Sequence, residues 1–205
     1  LWHSVWRTTG ASIISWLSTI MVCYILVHYK SKFTELLYSI GLVISIIPLY
    51  GAGPAQYKLL SDLHLVDNPL LLYTNITLFG GHFFYMYAFW KGISWSYAEA
   101  AEIDGASQVG IFIKIMLPIA RPGIFTAAVL AWLQLWNEFY WASLLIIDRN
   151  KMTVPAILSQ FTTSFGTDYN GLLSAVVVTI IPPVLLFTFA SKYFIEALSG
   201  GAVKG

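Results

Sequence analysis

The chain has 205 residues, 58% of them hydrophobic, 16% aromatic and only 10% charged, with a mean hydropathy of +0.72. A soluble domain carries about 25% charged residues, so this composition excludes an ordinary water-soluble fold. More apolar surface is present than one core of this length could hide, and the remainder is expected to face lipid. The net charge of +1, without any basic tract interleaved with aromatics, excludes nucleic acid as a partner.

Five stretches are long and apolar enough to cross a hydrocarbon core about 30 Å thick, which takes roughly 20 helical residues. They are about 11–29, 33–50, 69–90, 123–147 and 171–191. Long apolar runs in place of period-two alternation predict helices and not barrel strands. The expected fold is therefore all-α: a polytopic α-helical membrane protein, one transmembrane domain over 1–205, with five visible spans and a long loop at 91–122. Cys23 stands alone in the first stretch, which leaves a disulfide framework or a cysteine metal site without a second member. His3, His28, His64 and His82 share no metal-ligand spacing, and no metal is expected.

Lys and Arg set the expected orientation. With 91–122 in the cytoplasm, Lys30, Lys32, Lys91, Lys114, Arg121, Lys192 and Lys204 lie inside, and Arg7, Lys58, Arg149 and Lys151 outside, which is the sign the positive-inside rule requires. The loops 51–68 and 148–170 are then external. The first stretch enters from outside, so a further span is expected upstream of Leu1.

The loop 91–122 is the most informative part of the chain. Ser96 followed by Glu99 has the form of a capping box, in which hydroxyl and carboxylate each satisfy an exposed amide. A helix of about two turns is predicted from near Tyr97 to a stop at Gly105, a residue able to adopt the left-handed conformation that closes helices. A second helical piece, about 106–116, carries Val109, Phe112, Ile113 and Met116 at helical spacing and is expected to end before Pro118. Ala98, Ala101 and Gly105 form a stripe without bulk, of the kind that lets another surface approach closely. The acidic residues Glu99, Glu102 and Asp104 would be repelled by anionic lipid, which argues against a helix merely lying on the membrane.

Glu99-Ala100-Ala101, then Gly105, Ile115 and Leu117-Pro118, resembles the cytoplasmic signature of the inner-membrane permeases of binding-protein-dependent ABC importers. Ile103-Asp104-Gly105-Ala106, Trp136-Asn137-Glu138-Phe139 and the ending Gly201-Ala202-Val203-Lys204-Gly205 are similar to the maltose-type carbohydrate branch, in particular to the second permease of its heterodimers. Two positions depart from that pattern: Ser94 stands where many members have Pro, and Glu196-Ala197 replaces a commoner Glu-Gly or Gly-Gly. The resemblance implies a bacterial inner-membrane location and a pair of permease subunits enclosing the path for a small-molecule sugar. It also implies separate ABC ATPase subunits beneath and an external solute-binding protein that delivers the cargo. Glu99, Ala100, Ala101, Asp104 and Gly105 would form the coupling helix seated in the ATPase.

No Walker A phosphate loop occurs; Gly166 and Gly171 have its first spacing, but Leu172 follows where Lys is needed. No cofactor is expected in this chain, and ATP and Mg would be bound by the partner ATPase. In the fourth stretch Glu138 is a carboxylate within an apolar segment, where such a group costs roughly 2.5–3.5 kcal/mol at the helix centre and normally faces protein or water. With Gln134, Trp136 and Asn137 it forms a candidate substrate path, since sugar hydroxyls take polar partners while sugar C–H faces stack on aromatic rings. A helix–helix hydrogen bond with an interfacial aromatic belt is the plainer expectation for the same residues. The rivals are an importer for amino acids, peptides or phosphate and, from another class, an intramembrane enzyme or an ion channel. The scattered histidines supply no constellation for the enzyme, and a channel would have no use for the acidic elbow.

Overall fold

A computed structural model of the chain describes residues 1–47, 49–68, 70–71, 80–163 and 166–202. The all-α expectation holds, apart from the two-residue strands β1 (Thr162–Thr163) and β2 (Gly166–Thr167), paired antiparallel with Thr162 opposite Thr167. Two described helices are long and apolar enough to cross a membrane, α1 (Trp2–His28) and the segment Tyr169–Tyr193; a third candidate is the pair Gln108–Ile119 and Arg121–Leu145, bent by 78°. After α1 the α-helices in chain order are α2 (Lys32–Ile46), α3 (Gly53–Asp62), α4 (Gly81–Gly92), α5 (Ser96–Ile103), α6 (Gln108–Ile111), α7 (Leu117–Ile119), α8 (Arg121–Trp136), α9 (Tyr140–Leu145), α10 (Val154–Leu158) and α11 (Tyr169–Ala202), the last containing Tyr169–Tyr193. Of the third expected stretch, residues 69 and 72–79 lie outside the described residues, as do residue 48 of the second and the terminal 203–205.

The chain divides into two compact units: Leu1–Ser15, Ile47–Thr77 and Ala131–Thr188 form one, and Trp16–Ile46, Leu78–Leu130 and Phe189–Gly205 the other. In the first unit, α1 starts nine residues before the apolar run that marked it. Ser4, Arg7, Thr8, Ala11, Ser12 and Ser15 recur at three- and four-residue steps and are all buried, while Trp2 and Trp6 point outward. A stripe of small and hydroxyl side chains permits close backbone approach in a membrane protein, and its polar atoms find partners inside. Ser4 Oγ accepts from the Val154 amide at 2.8 Å, Thr9 Oγ1 accepts from Trp132 Nε1 at 3.2 Å, and the Arg7 guanidinium donates to the Lys151 carbonyl. A polar face hidden in protein lowers hydropathy without shortening the helix.

In the second unit α4 is the hub. Phe83, Met86 and Trp90, at i, i+3 and i+7, are fully enclosed. Cys23 of α1 donates its thiol to the Phe83 carbonyl at 3.5 Å. Tyr38 of α2 stacks on Tyr87 with centroids 4.2 Å apart. Gly123 of α8 lies so close to the Phe89 ring that a Cβ there would collide with it. Trp16 Nε1 donates to the Ile124 carbonyl at 2.9 Å, and Phe125 stacks on Tyr193 at 4.3 Å. A helix packed on so many sides has little use for polar residues, which is why 81–90 reads as one apolar run.

Asp67 closes the loop after α3 against the end of α9, a contact with no local sequence signal. Its backbone is left-handed, with φ 63°; its amide donates to the Leu145 carbonyl at 2.8 Å. Its carboxylate accepts from the amides of Ile147 (3.0 Å) and Asp148 (2.9 Å) and from Lys151 Nζ (2.6 Å). The Lys151 ammonium, and then the Asp148 amide, hold the Asp67 carboxyl below the usual carboxylate range; the same hydrogen bond holds the Lys151 amine above the usual lysine range. The Asp67 contribution to stability is therefore full above the ordinary value of about 4 and is lost as pH falls through the lowered one. That of Lys151 is full below about 10.4 and is lost as pH climbs through its raised value. Thermal midpoints of the purified protein in detergent should show a plateau between these limits, and Asp67→Asn should flatten its acid edge. An acid edge identical in Asp67→Asn and the parent would show that the clasp carries none of the pH dependence.

Candidate functional site: the acidic elbow and the broken helix

The expected two-turn helix of the elbow is α5, Ser96–Ile103. Its start differs from the capping box. Trp95 is the N-cap, in helical conformation, and no side chain caps it; Ser96 already lies in the first turn, where its amide approaches Ser94 Oγ at 3.4 Å and its hydroxyl lies 2.8 Å from that of Ser94. The reason is one of register: the Trp95 carbonyl accepts from Ala98 (2.8 Å) and Glu99 (3.1 Å), so the helix begins one residue too early for Ser96 to act as its cap.

The stop at Gly105 is as expected. Gly105 has φ 82°, its amide donates to the Glu102 carbonyl at 3.0 Å, and the Ala106 amide reaches back to the Ala101 carbonyl at 2.9 Å. These two bonds are the Schellman pattern, which satisfies carbonyls that a helix end leaves open. A Cβ on Gly105 would meet nothing within 4 Å, so backbone conformation alone demands glycine there.

Of the small stripe, Gly105 is exposed, whereas the two alanines face inward. Ala98 and Ala101 are buried, at 1% and 7% exposure, in the chain's own core cluster beside Trp90 and Ile111. The surface they admit is the chain's own, because methyl side chains let α5 lie flat against that core. Outward stand Glu99, Ala100, Glu102, Asp104, Gly105 and Ile103, the last 86% exposed. The second helical piece also departs from expectation. Ser107 Oγ caps α6 by accepting from the Gly110 amide at 3.2 Å, and Phe112–Met116 forms a π turn whose final bond runs from the Leu117 amide to the Phe112 carbonyl. Helical structure thus passes through Pro118 to Ile119 and does not stop before it. A π turn loosens the hydrogen-bond register immediately before the proline, whose ring would otherwise crowd the carbonyl four residues back.

The expected continuous stretch 123–147 is broken. Helix α8 ends at Trp136 and α9 starts at Tyr140. Asn137 Nδ2 donates to the Leu133 carbonyl at 2.9 Å, closing the first half. The Glu138 carboxylate accepts from the amides of Trp141 (2.7 Å) and Ala142 (3.1 Å), opening the second. Of the candidate path residues, Trp136 is 2% exposed and stacks on Trp132 with centroids 5.0 Å apart and planes 10° apart. Gln134 and Asn137 are exposed, and Glu138 is half-buried. Trp136 gives its face to Trp132, and Glu138 gives both oxygens to backbone amides. Removing a helix-end acceptor costs about 1 kcal/mol, so Glu138→Ala should lower the thermal midpoint and Glu138→Gln, which keeps one carbonyl oxygen, should recover part of the loss. An unchanged midpoint in Glu138→Ala would leave the carboxylate free for another task.

The chain's relatives agree with this architecture. Residues 8–200 match the family model described as binding-protein-dependent transport system inner membrane component. The chain is 34% identical over 205 residues to the arabinooligosaccharides transport system permease protein AraQ of Halalkalibacterium halodurans, covering 99% of this chain and 73% of the relative. It is 32% identical over 191 residues to AraQ of Bacillus subtilis, covering 90% and 66% respectively, and 28% identical to the diacetylchitobiose uptake system permease protein NgcG of Streptomyces coelicolor, covering 98% and 68%. Among solved structures, a chain of a bacterial ABC transporter that imports the acidic polysaccharide alginate superposes with a TM-score of 0.70 at 23% identity, covering 94% of this chain and 73% of that one. A chain of the MetNI methionine ABC transporter gives 0.70 at 15% identity, covering 96% and 95%; at these identities the likeness is one of fold. With nearly its whole length matched, this chain belongs to the inner-membrane permease components of binding-protein-dependent ABC transport systems.

Proposed function

We propose that this permease forms half of the transmembrane path for an oligosaccharide and is driven by a separate ATPase that docks on the outward face of α5, with Ile103 at its centre. The observation that carries the reading is the 86% exposure of Ile103 on a helix anchored underneath by Ala98 and Ala101 and closed by Gly105. A large aliphatic side chain held out on a rigid acidic helix is costly to leave in water and well placed to fill a partner's cleft. Glu99, Ala100 and Asp104 flank it on the exposed side; Ala101 supports it from below. A second permease subunit completes the path, an external binding protein delivers cargo, and the ATPase binds ATP and Mg. The sugar assignment is supported by relatives that carry arabinooligosaccharides and diacetylchitobiose and by the Trp132–Trp136 stack in α8. Directional import requires that one ligand favour one of two states, since equal affinity for both shifts nothing; here nucleotide bound to the ATPase supplies that difference.

The test uses the assembled complex, with ATPase co-purification and uptake of a radiolabelled arabino-oligosaccharide into proteoliposomes as readouts. Ile103→Glu should release the ATPase. Left-handed backbone costs an L-residue roughly 1–2 kcal/mol, and β-branched residues tolerate it worst, whereas Asn adopts it more readily. Gly105→Val should therefore cut uptake by about tenfold and Gly105→Asn by much less. Parental ATPase retention and uptake in both Ile103→Glu and Gly105→Val would overturn the docking assignment.

A further inference from the structure

The C-terminus of α1 grips both ends of α5. His28, the last residue of α1, stacks on Trp95 with centroids 4.6 Å apart and planes 24° apart, and Trp95 is the residue whose carbonyl starts α5. One turn earlier, Tyr24 packs against Phe112 of the π turn at 4.6 Å and against Trp90 of α4 at 5.1 Å. At the other end of α5, the Tyr29 hydroxyl donates to Gln108 Oε1 at 2.7 Å, and Gln108 Nε2 donates to Glu102 Oε1 at 3.1 Å. A partly buried aromatic box thus holds the start of the helix and an exposed polar chain holds its end. His28 Nε2 and Trp90 Nε1 are enclosed with no hydrogen-bond partner among the described residues. The box is accordingly held by ring faces and edges.

We infer that Tyr24, His28 and Tyr29 are positioning residues for transport: through Trp95 and Gln108 they pass the displacement of α5 to α1. The inference rests on the docking role proposed for α5. An ATPase seated on the outward face touches the side of α5 opposite the box, so any movement it imposes must leave through the contacts beneath. Those contacts lead to α1, a 27-residue helix about 40 Å long at 1.5 Å per residue. Stacked rings resist both shear and separation because offset contact is lost in either direction. The Tyr29–Gln108–Glu102 chain prevents α5 from pivoting about Trp95.

A nitroxide on Lys30→Cys, an exposed position two residues past His28, reads movement of the end of α1, while the buried Cys23 is shielded from the label. Spectra of the assembled complex are recorded with and without ATP, alongside ATPase co-purification. An ATP-dependent change is expected in the parent. In His28→Ala its amplitude should fall by at least about fivefold while the ATPase stays bound, and His28→Phe, which keeps a flat ring on Trp95, should restore it. If His28→Ala does not accumulate, the pair Tyr29→Phe and Gln108→Leu, which removes only the exposed chain, must reduce the same signal. No ATP-dependent change in the parent, full amplitude in His28→Ala, or equal loss in His28→Phe would each overturn the inference. Full amplitude in His28→Ala beside ATPase release in Ile103→Glu would overturn this link alone and leave the docking assignment standing.

Discussion

An apolar surrounding offers backbone amides and carbonyls no partner, so a chain of this composition must satisfy them within itself wherever a helix starts, stops or bends. Helix and loop ends are closed within the chain both inside the apolar segments and in the loops between them. Gly105 adopts the left-handed conformation that returns two amides to the carbonyls of Ala101 and Glu102. Glu138 takes the amides of Trp141 and Ala142 at a break in an otherwise apolar segment. Asp168 accepts from the Gly171 amide at 3.0 Å where α11 begins, and Asp67 does the same for two consecutive amides after α9. Acidic side chains are few, with Asp and Glu together numbering 10; Glu138 and Asp168 stand at helix starts, where a negative charge is favoured by the backbone dipoles, and Asp67 is held by its two amides and Lys151.

The two compact units solve packing by different means. In the one containing Leu1–Ser15, α1 presents a face of Ser, Thr and Ala with a buried arginine, and cohesion comes from close approach and hydrogen bonds to Val154, Lys151 and Trp132. In the one containing Trp16–Ile46, the same helix presents Cys23, Tyr24 and Val27 to an aromatic hub on α4. Lipid is as apolar as leucine, so hydrophobicity alone does not hold helices together in a membrane. Shape and polar contacts do so in the first case, and large flat rings in the second.

The elbow gains its order from this second unit. Small residues at Ala98 and Ala101 let α5 lie against the core, which leaves its acidic face and Ile103 outward. Family membership supplies the setting of a separate binding protein and ATPase.

The helical membrane class, the elbow between two apolar stretches and the glycine that ends its first helix were legible in the sequence, because each depends on local quantities: hydropathy over about 20 residues, helical spacing, and the conformational freedom of one residue. The start of α1 was hidden because its polar residues are paired with partners more than a hundred positions away. Cap assignment at Ser96 failed because hydrogen-bond register, set by how Trp95 packs on His28 and Tyr24, outranks the local S-x-x-E pattern. The direction of the alanine stripe, the break at Glu138 and the Asp67–Lys151 clasp were decided only in three dimensions. Hydropathy cannot tell a side chain that faces lipid from one that faces protein, and a carboxylate's partners lie wherever the fold brings an unpaired amide.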